Sequence, residues 1–161
     1  MYIALKTPAT SGAINFADSD AAKADLLASF IGWDVGLRAV IAEADGELIP
    51  RPIHALPVGH CWERTPGVPL LGDAAHLMSP FAGEGANLAM LAAAELAAAI
   101  VAYPYDWEAA LSAYERSLFP RSAAAAAESA TNLIVCFRPD APQGLLDLMA
   151  QYQAAGQARG R

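Results

Sequence analysis

The chain has 161 residues with 17 acidic and 10 basic side chains, a formal net charge of −7 and a pI near 4.8. That balance argues against nucleic acid or an anionic membrane surface as a partner. Hydrophobic residues make up 55% and mean hydropathy is +0.29, enough for one domain, or one domain and a remnant, with a real core. Cys61 and Cys136 stand far apart in no metal or redox spacing, which predicts two reduced thiols. The N-terminus shows no signal-peptide pattern, so the expected location is the cytoplasm.

Residues 1–6 read as a strand and 13–16 as a second. Ser19 or Asp20 is placed to cap a helix over roughly 21–32, with Leu26, Leu27, Phe30 and Ile31 on one face. Asp34 is placed to cap a second, short helix ending near Asp45 and Gly46. Residues 47–62 alternate and contain Pro50, Pro52 and Pro57, a pattern of edge strands. Val68, Leu70 and Leu71 predict a buried strand over 68–72.

The stretch Gly72-Asp73-Ala74-Ala75-His76-Leu77-Met78-Ser79-Pro80-Phe81-Ala82-Gly83-Glu84-Gly85-Ala86-Asn87 carries the most information. It reads as a strand end, a tight turn with a carboxylate, a Pro- and Gly-punctuated loop, and a helix opening at about Asn87. Glycine lets a backbone approach a ligand with no Cβ in the way. The free N–H groups at a helix start suit an anion or an electron-rich ring oxygen. A carboxylate beside them suits a sugar or ribityl hydroxyl. On chemistry alone this is a cofactor-cradling loop.

Helices fill the remainder. The pattern predicts them over 86–102 and 106–118, with a kink or restart at Pro120 and continuation to about Cys136. Arg138-Pro139-Asp140 breaks the run, a last helix covers Gln143 to about Ala155, and the tail from Gly156 frays. The apolar run from Leu88 to Ala102 holds Glu95 and is short for a bilayer span of roughly 20 residues. It is expected to be a buried helix.

The Gly72–Asn87 pattern resembles the second flavin-binding motif of the single-component FAD-dependent monooxygenases, the aromatic hydroxylases and tetracycline-inactivating monooxygenases. Strand, Gly-Asp-Ala-Ala-His, Pro, Gly-x-Gly, Asn and a long helix occur in order from Val68 to about Ala97. The run from Leu56 to Trp62, then Pro66-Gly67-Val68, is similar to the approach to that motif. The Gly-x-Gly-x-x-Gly unit that opens this family does not occur, and Ala92 stands where an aspartate is frequent.

The resemblance implies an α/β fold: the C-terminal part of a Rossmann-like flavoprotein, with partial substrate-domain strands and helices over 1–62 and the flavin-ring loop and helices over 63–161. It implies FAD as cofactor and NADPH or NADH as reductant. The implied reaction is O₂-dependent hydroxylation of an aromatic or polyketide-like small molecule through a C4a-hydroperoxyflavin. The cofactor-binding residues so implied are Gly72, Asp73, Pro80, Gly83, Gly85, Ala86 and Asn87. Asp73 would take the ribityl hydroxyls or lie by the pyrophosphate, Pro80 would lie against the ring, and the Gly83–Asn87 amides would meet its pyrimidine edge.

No catalytic residue is certain beyond flavin-adjacent Pro80. His76 is expected to hydrogen-bond within its loop, and His54 and His60 to border a substrate pocket. The histidines have no metal-ligand spacing. Trp33, Trp62 and Trp107 read as core or interface aromatics. A competing reading is a truncated, non-catalytic remnant or binding module that needs a missing N-terminal half or a complementing chain to hold FAD.

Overall fold

The computed structural model describes residues 2–7 and 14–159. It divides into two compact units, Met1–Pro52 and Ile53–Arg161.

In the first unit α1 (Ser19–Ala28) is capped by Asp18, whose Oδ1 accepts from the amides of Asp20 and Ala21, each at 3.1 Å. The cap is therefore one residue ahead of the expected Ser19 or Asp20. The helix also ends early, as the Ser29 and Phe30 amides turn to the Leu26 and Leu27 carbonyls. That leaves Ile31 off the helix and exposed, while Leu26 is buried. Asp34 caps α2 (Val35–Ala42) through the Gly36 amide at 2.8 Å, as its position before an apolar run predicts. The Lys23 ammonium donates to the Ala44 carbonyl at 2.6 Å and ties the end of this pair of helices together.

The second unit is built on helices. A four-residue helix, α3 (Asp73–His76), and a 3₁₀ turn over Pro80–Ala82 precede α4 (Gly85–Ala102), α5 (Trp107–Cys136) and α6 (Gln143–Arg159). The core is small: Ala75, Ala92, Tyr114 and Leu118, with Trp62, Leu70, Leu96 and Ala99 packed around them. Leu111, fully buried, and Tyr114 and Leu118 recur along one side of α5 at helical spacing.

The α/β expectation is overturned, because no strand or sheet occurs among the described residues. A strand exists only where a neighbour accepts and returns its backbone hydrogen bonds. Between Ile53 and Gly72 the backbone bonds go elsewhere. Leu56 N–H donates to Leu77, His60 to Pro57 and Val68 to Thr65, which are loop and turn contacts. Prolines 57, 66 and 69 remove donors from the same stretch. Val68 and Leu71 are half-exposed instead of lying in a buried strand. Met1, Ala13 and the last two residues, on which parts of the expected strands and tail fall, lie outside the described residues.

Two helix expectations also change. Pro120 lies inside α5, which runs through it from Trp107 to Cys136. And α4 is not buried: of its 18 residues only Leu88 and Ala92 are. By length and composition, at a mean hydropathy of 1.7, α4 is apolar enough to cross a membrane. Its Glu95 nevertheless forms an ion pair with Arg121 of α5 at 2.6 Å. Its surface is mostly apolar apart from Asn87 and Glu95, so a single line of contact with α5 leaves Met90, Leu91 and Val101 exposed.

Candidate functional site

Gly72 opens the site with φ +61° and ψ −138°, a backbone conformation that only glycine adopts without strain. Its carbonyl accepts from the amides of Ala75 and His76, which winds the short α3 directly behind it. A Cβ built on Gly72 would lie 3.9 Å from the Ala89 Cβ, so the turn packs closely on the second turn of α4. Asp73, the first residue of α3, is exposed to solvent.

Pro80 starts the 3₁₀ turn and is exposed, and Gly83 closes the turn at φ +70°. This turn is fastened to α5. The Ser79 and Ser129 hydroxyls lie 2.6 Å apart, the Ser129 hydroxyl also donates to the Ser79 carbonyl, and Asn132 Nδ2 donates to the Phe81 carbonyl at 3.1 Å. The Phe81 ring meets Phe137 edge-on at 5.7 Å.

Helix α4 begins at Gly85, two residues earlier than expected, with Glu84 before it and no side chain capping the amides of its first turn. The first helical bond runs from Leu88 N–H to the Glu84 carbonyl at 2.8 Å. The N–H groups of Gly85, Ala86 and Asn87 are therefore at an uncapped helix start. Asn87 lies inside the helix and is exposed, so it does not cap it. No heavy atom beyond the immediate chain neighbours approaches within 4 Å of a Cβ built on Gly83 or Gly85.

The approach to the site is clamped by charge. Glu115 of α5 is buried and accepts from Trp62 Nε1 and Arg64 Nε, both at 3.2 Å. Arg64 also bonds the Glu108 carboxylate at 3.0 Å and its carbonyl at 2.6 Å, while the Gly67 amide donates to Glu108 at 2.7 Å. Trp62 stacks edge-on against Phe119 at 4.7 Å, so it belongs to the packing of this loop on α5. The Tyr114 hydroxyl donates to the Leu70 carbonyl at 2.9 Å. Burial foremost, then the Glu95 and Glu115 carboxylates, raise its pKa above the ordinary 10.0, against the opposing pull of Arg121.

Sequence reasoning passed over Ser79, Glu115, Ser129 and Asn132, which hold the loop. A signal existed for two of them: Ser129 and Asn132 are polar and three apart in an alanine-rich helix, hence on one face. His76 departs from expectation. It is buried, and neither ring nitrogen has a partner within the protein. His60 is half-buried, with its ring 6.0 Å from that of Trp62, and His54 is exposed. Trp107 and, in the first unit, Trp33 are both about half-exposed, and no group of His, Cys, Asp and Glu fit to hold a metal occurs among the described residues.

An exposed carboxylate, glycines with open approach and an uncapped helix start suit a ligand with hydroxyls and electron-rich acceptor atoms, as in a dinucleotide cofactor. Comparison with known proteins narrows that class. Residues 62–129 match the model of a FAD binding domain. The chain is 37% identical over 124 residues to Monooxygenase asqM of Emericella nidulans, which covers 66% of this chain and 28% of that protein. It is 34% identical over 107 residues to Monooxygenase penA of Penicillium thymicola, covering 58% and 24% respectively. With Kynurenine 3-monooxygenase of Salinispora arenicola it shares 40% over 86 residues, 47% of this chain and 19% of that protein. Over these segments the chain is similar to FAD-dependent monooxygenases, and it spans about a quarter of the length of the first two of these relatives.

Proposed function

We propose that this chain supplies the flavin-ring side of a FAD-dependent monooxygenase that hydroxylates an aromatic or polyketide-like small molecule, with NADPH or NADH as reductant. The observation that carries the reading is the arrangement from Gly72 to Asn87: an exposed Asp73, a glycine turn pinned to α5, and an uncapped start to α4.

When bound, FAD supplies the redox and oxygen chemistry, and the protein supplies position and electrostatics. Asp73 accepts hydrogen bonds from ribityl hydroxyls or stands beside the pyrophosphate. Gly83 and Gly85 leave the backbone open to close approach. The amides of Gly85, Ala86 and Asn87, with the positive end of the α4 dipole, stabilise negative charge on the pyrimidine edge. Pro80 presents a rigid, donor-free surface to the ring. The residues present fit these roles, because a Cβ at Gly83 or Gly85 would fill open space that the ring edge needs. The test is titration of the purified chain with FAD and FMN, comparing the native sequence with Asp73→Ala and Gly85→Val.

A second reading has its own observation. The exposed apolar side of α4, at Met90, Leu91 and Val101, is a surface for a covering element. It supports a binding module or non-catalytic remnant that holds FAD only with an N-terminal half or a complementing chain. Flavin binding that appears only on co-expression with the corresponding half of a longer relative supports this second reading.

A further inference from the structure

His76 sits at the end of α3 with 5% of its surface exposed, and both Nδ1 and Nε2 lack a partner. Ser122, on α5, is 7% exposed, and its Oγ also lacks a partner. Both residues line one small pocket of about 10 Å³, partly open to solvent, together with Leu56, Pro57, His60 and Ala126. Buried polar atoms without partners are uncommon in folded proteins, and such groups are usually satisfied by an ordered internal water.

The size and chemistry of the cavity select its occupant. Its volume is about that required by a single water. A neutral imidazole offers one donor and one acceptor, and a hydroxyl offers both, so one water can bridge the two. A dry or gas-filled cavity would leave all three atoms unpaired. A metal ion would find imidazole and hydroxyl but no carboxylate or thiolate, and no metal-holding group occurs among the described residues.

We propose that this pocket is a binding site for one ordered water, held in common by His76 and Ser122. The water joins the C-terminal end of α3 to the middle of α5 beneath the Pro57–His60 turn, whose own anchor is the neighbouring Leu56–Leu77 hydrogen bond at 2.9 Å. It gives one ring nitrogen of His76 and the Ser122 hydroxyl the partner that the protein itself does not supply.

The test is NMR on the full chain with ¹⁵N-labelled histidine. Cross-relaxation between solvent and the His76 ring protons should carry the sign of a long-lived bound water, and one ring nitrogen should show the shift of a hydrogen bond. In Ser122→Ala the loss of one hydrogen bond should shorten the water's residence by roughly tenfold. In Ser122→Val the added methyl groups should abolish the signal. A folded native chain with no long-lived water at His76 overturns the proposal. So does a Ser122→Val variant, folded by its amide spectrum, that keeps the signal. If that variant does not fold, the native chain decides alone.

Discussion

Ser79 and Ser129 stand 50 positions apart in sequence and place their hydroxyls 2.6 Å from each other, both buried. This pair holds the Pro80–Gly83 turn to α5, and with it the spacing between α3 and the start of α4. Replacing Ser129 with Ala leaves the Ser79 hydroxyl without its side-chain partner, at a cost of about 1–3 kcal/mol. A larger loss is expected for Ser129→Val, which forces a branched side chain into a position with no exposed surface. Thermal denaturation of both variants checks the order.

The Arg64–Glu115 pair makes a different prediction, because one partner is buried and the other is partly exposed. Arg64→Met leaves the Glu115 carboxylate with the Trp62 indole as its remaining bond, at a cost of about 2–3 kcal/mol. Glu115→Gln keeps one acceptor oxygen but turns an NH₂ donor toward the other of the two N–H groups, so it should cost at least as much. A negligible loss for both variants in urea denaturation would show that this clamp adds little to stability.

Gly83 and Gly85 separate structure from binding. Gly83→Ala forces a side chain to φ +70° and should cost about 1–2 kcal/mol. Gly85 has ordinary backbone geometry at the first position of α4, so Gly85→Ala should change stability by less than about 1 kcal/mol, in the favourable direction. If the start of α4 meets a flavin ring, the larger Gly85→Val should weaken FAD binding by tenfold or more, roughly 1.4 kcal/mol, with the fold intact. Paired melting and titration curves distinguish the two effects.

Tyr114 makes stability depend on alkaline pH. Its pKa is raised in the folded chain, chiefly by burial, so the native state keeps the proton that the unfolded chain loses. Its contribution is complete below the ordinary value of 10.0 and falls as pH rises through the higher folded value. Tyr114→Phe should flatten that decline and, by losing the bond to the Leu70 carbonyl, cost about 1 kcal/mol at neutral pH. Stability measured from pH 8 to 11 on both chains checks the sign.

The helices and their caps were legible where the signal is local. Asp34 before an apolar run gave the start of α2, whereas the cap of α1 fell one residue ahead of the expected pair, at Asp18. The strands were not legible, because alternation at 47–62 and the apolar run at 68–72 describe only what a residue can do beside a partner. Among the described residues no partner pairs with them. The motif from Gly72 to Asn87 stood out because glycine, proline and carboxylate restrict backbone and chemistry at fixed positions. Its anchors, Ser129 and Asn132, did not, since their pairing spans about 50 residues and depends on how α5 returns beneath the loop.

The most direct test of the central claim is titration of the purified 161-residue chain with FAD, followed by flavin absorbance and fluorescence, beside the Asp73→Ala variant. The flavin-ring reading predicts saturable binding at one equivalent, weakened at least tenfold by Asp73→Ala, whose exposed side chain has no part in the core. Saturable binding that is identical in the two chains would contradict the role given to Asp73. A folded chain that binds no flavin would contradict the claim that the Gly72–Asn87 loop holds the cofactor by itself.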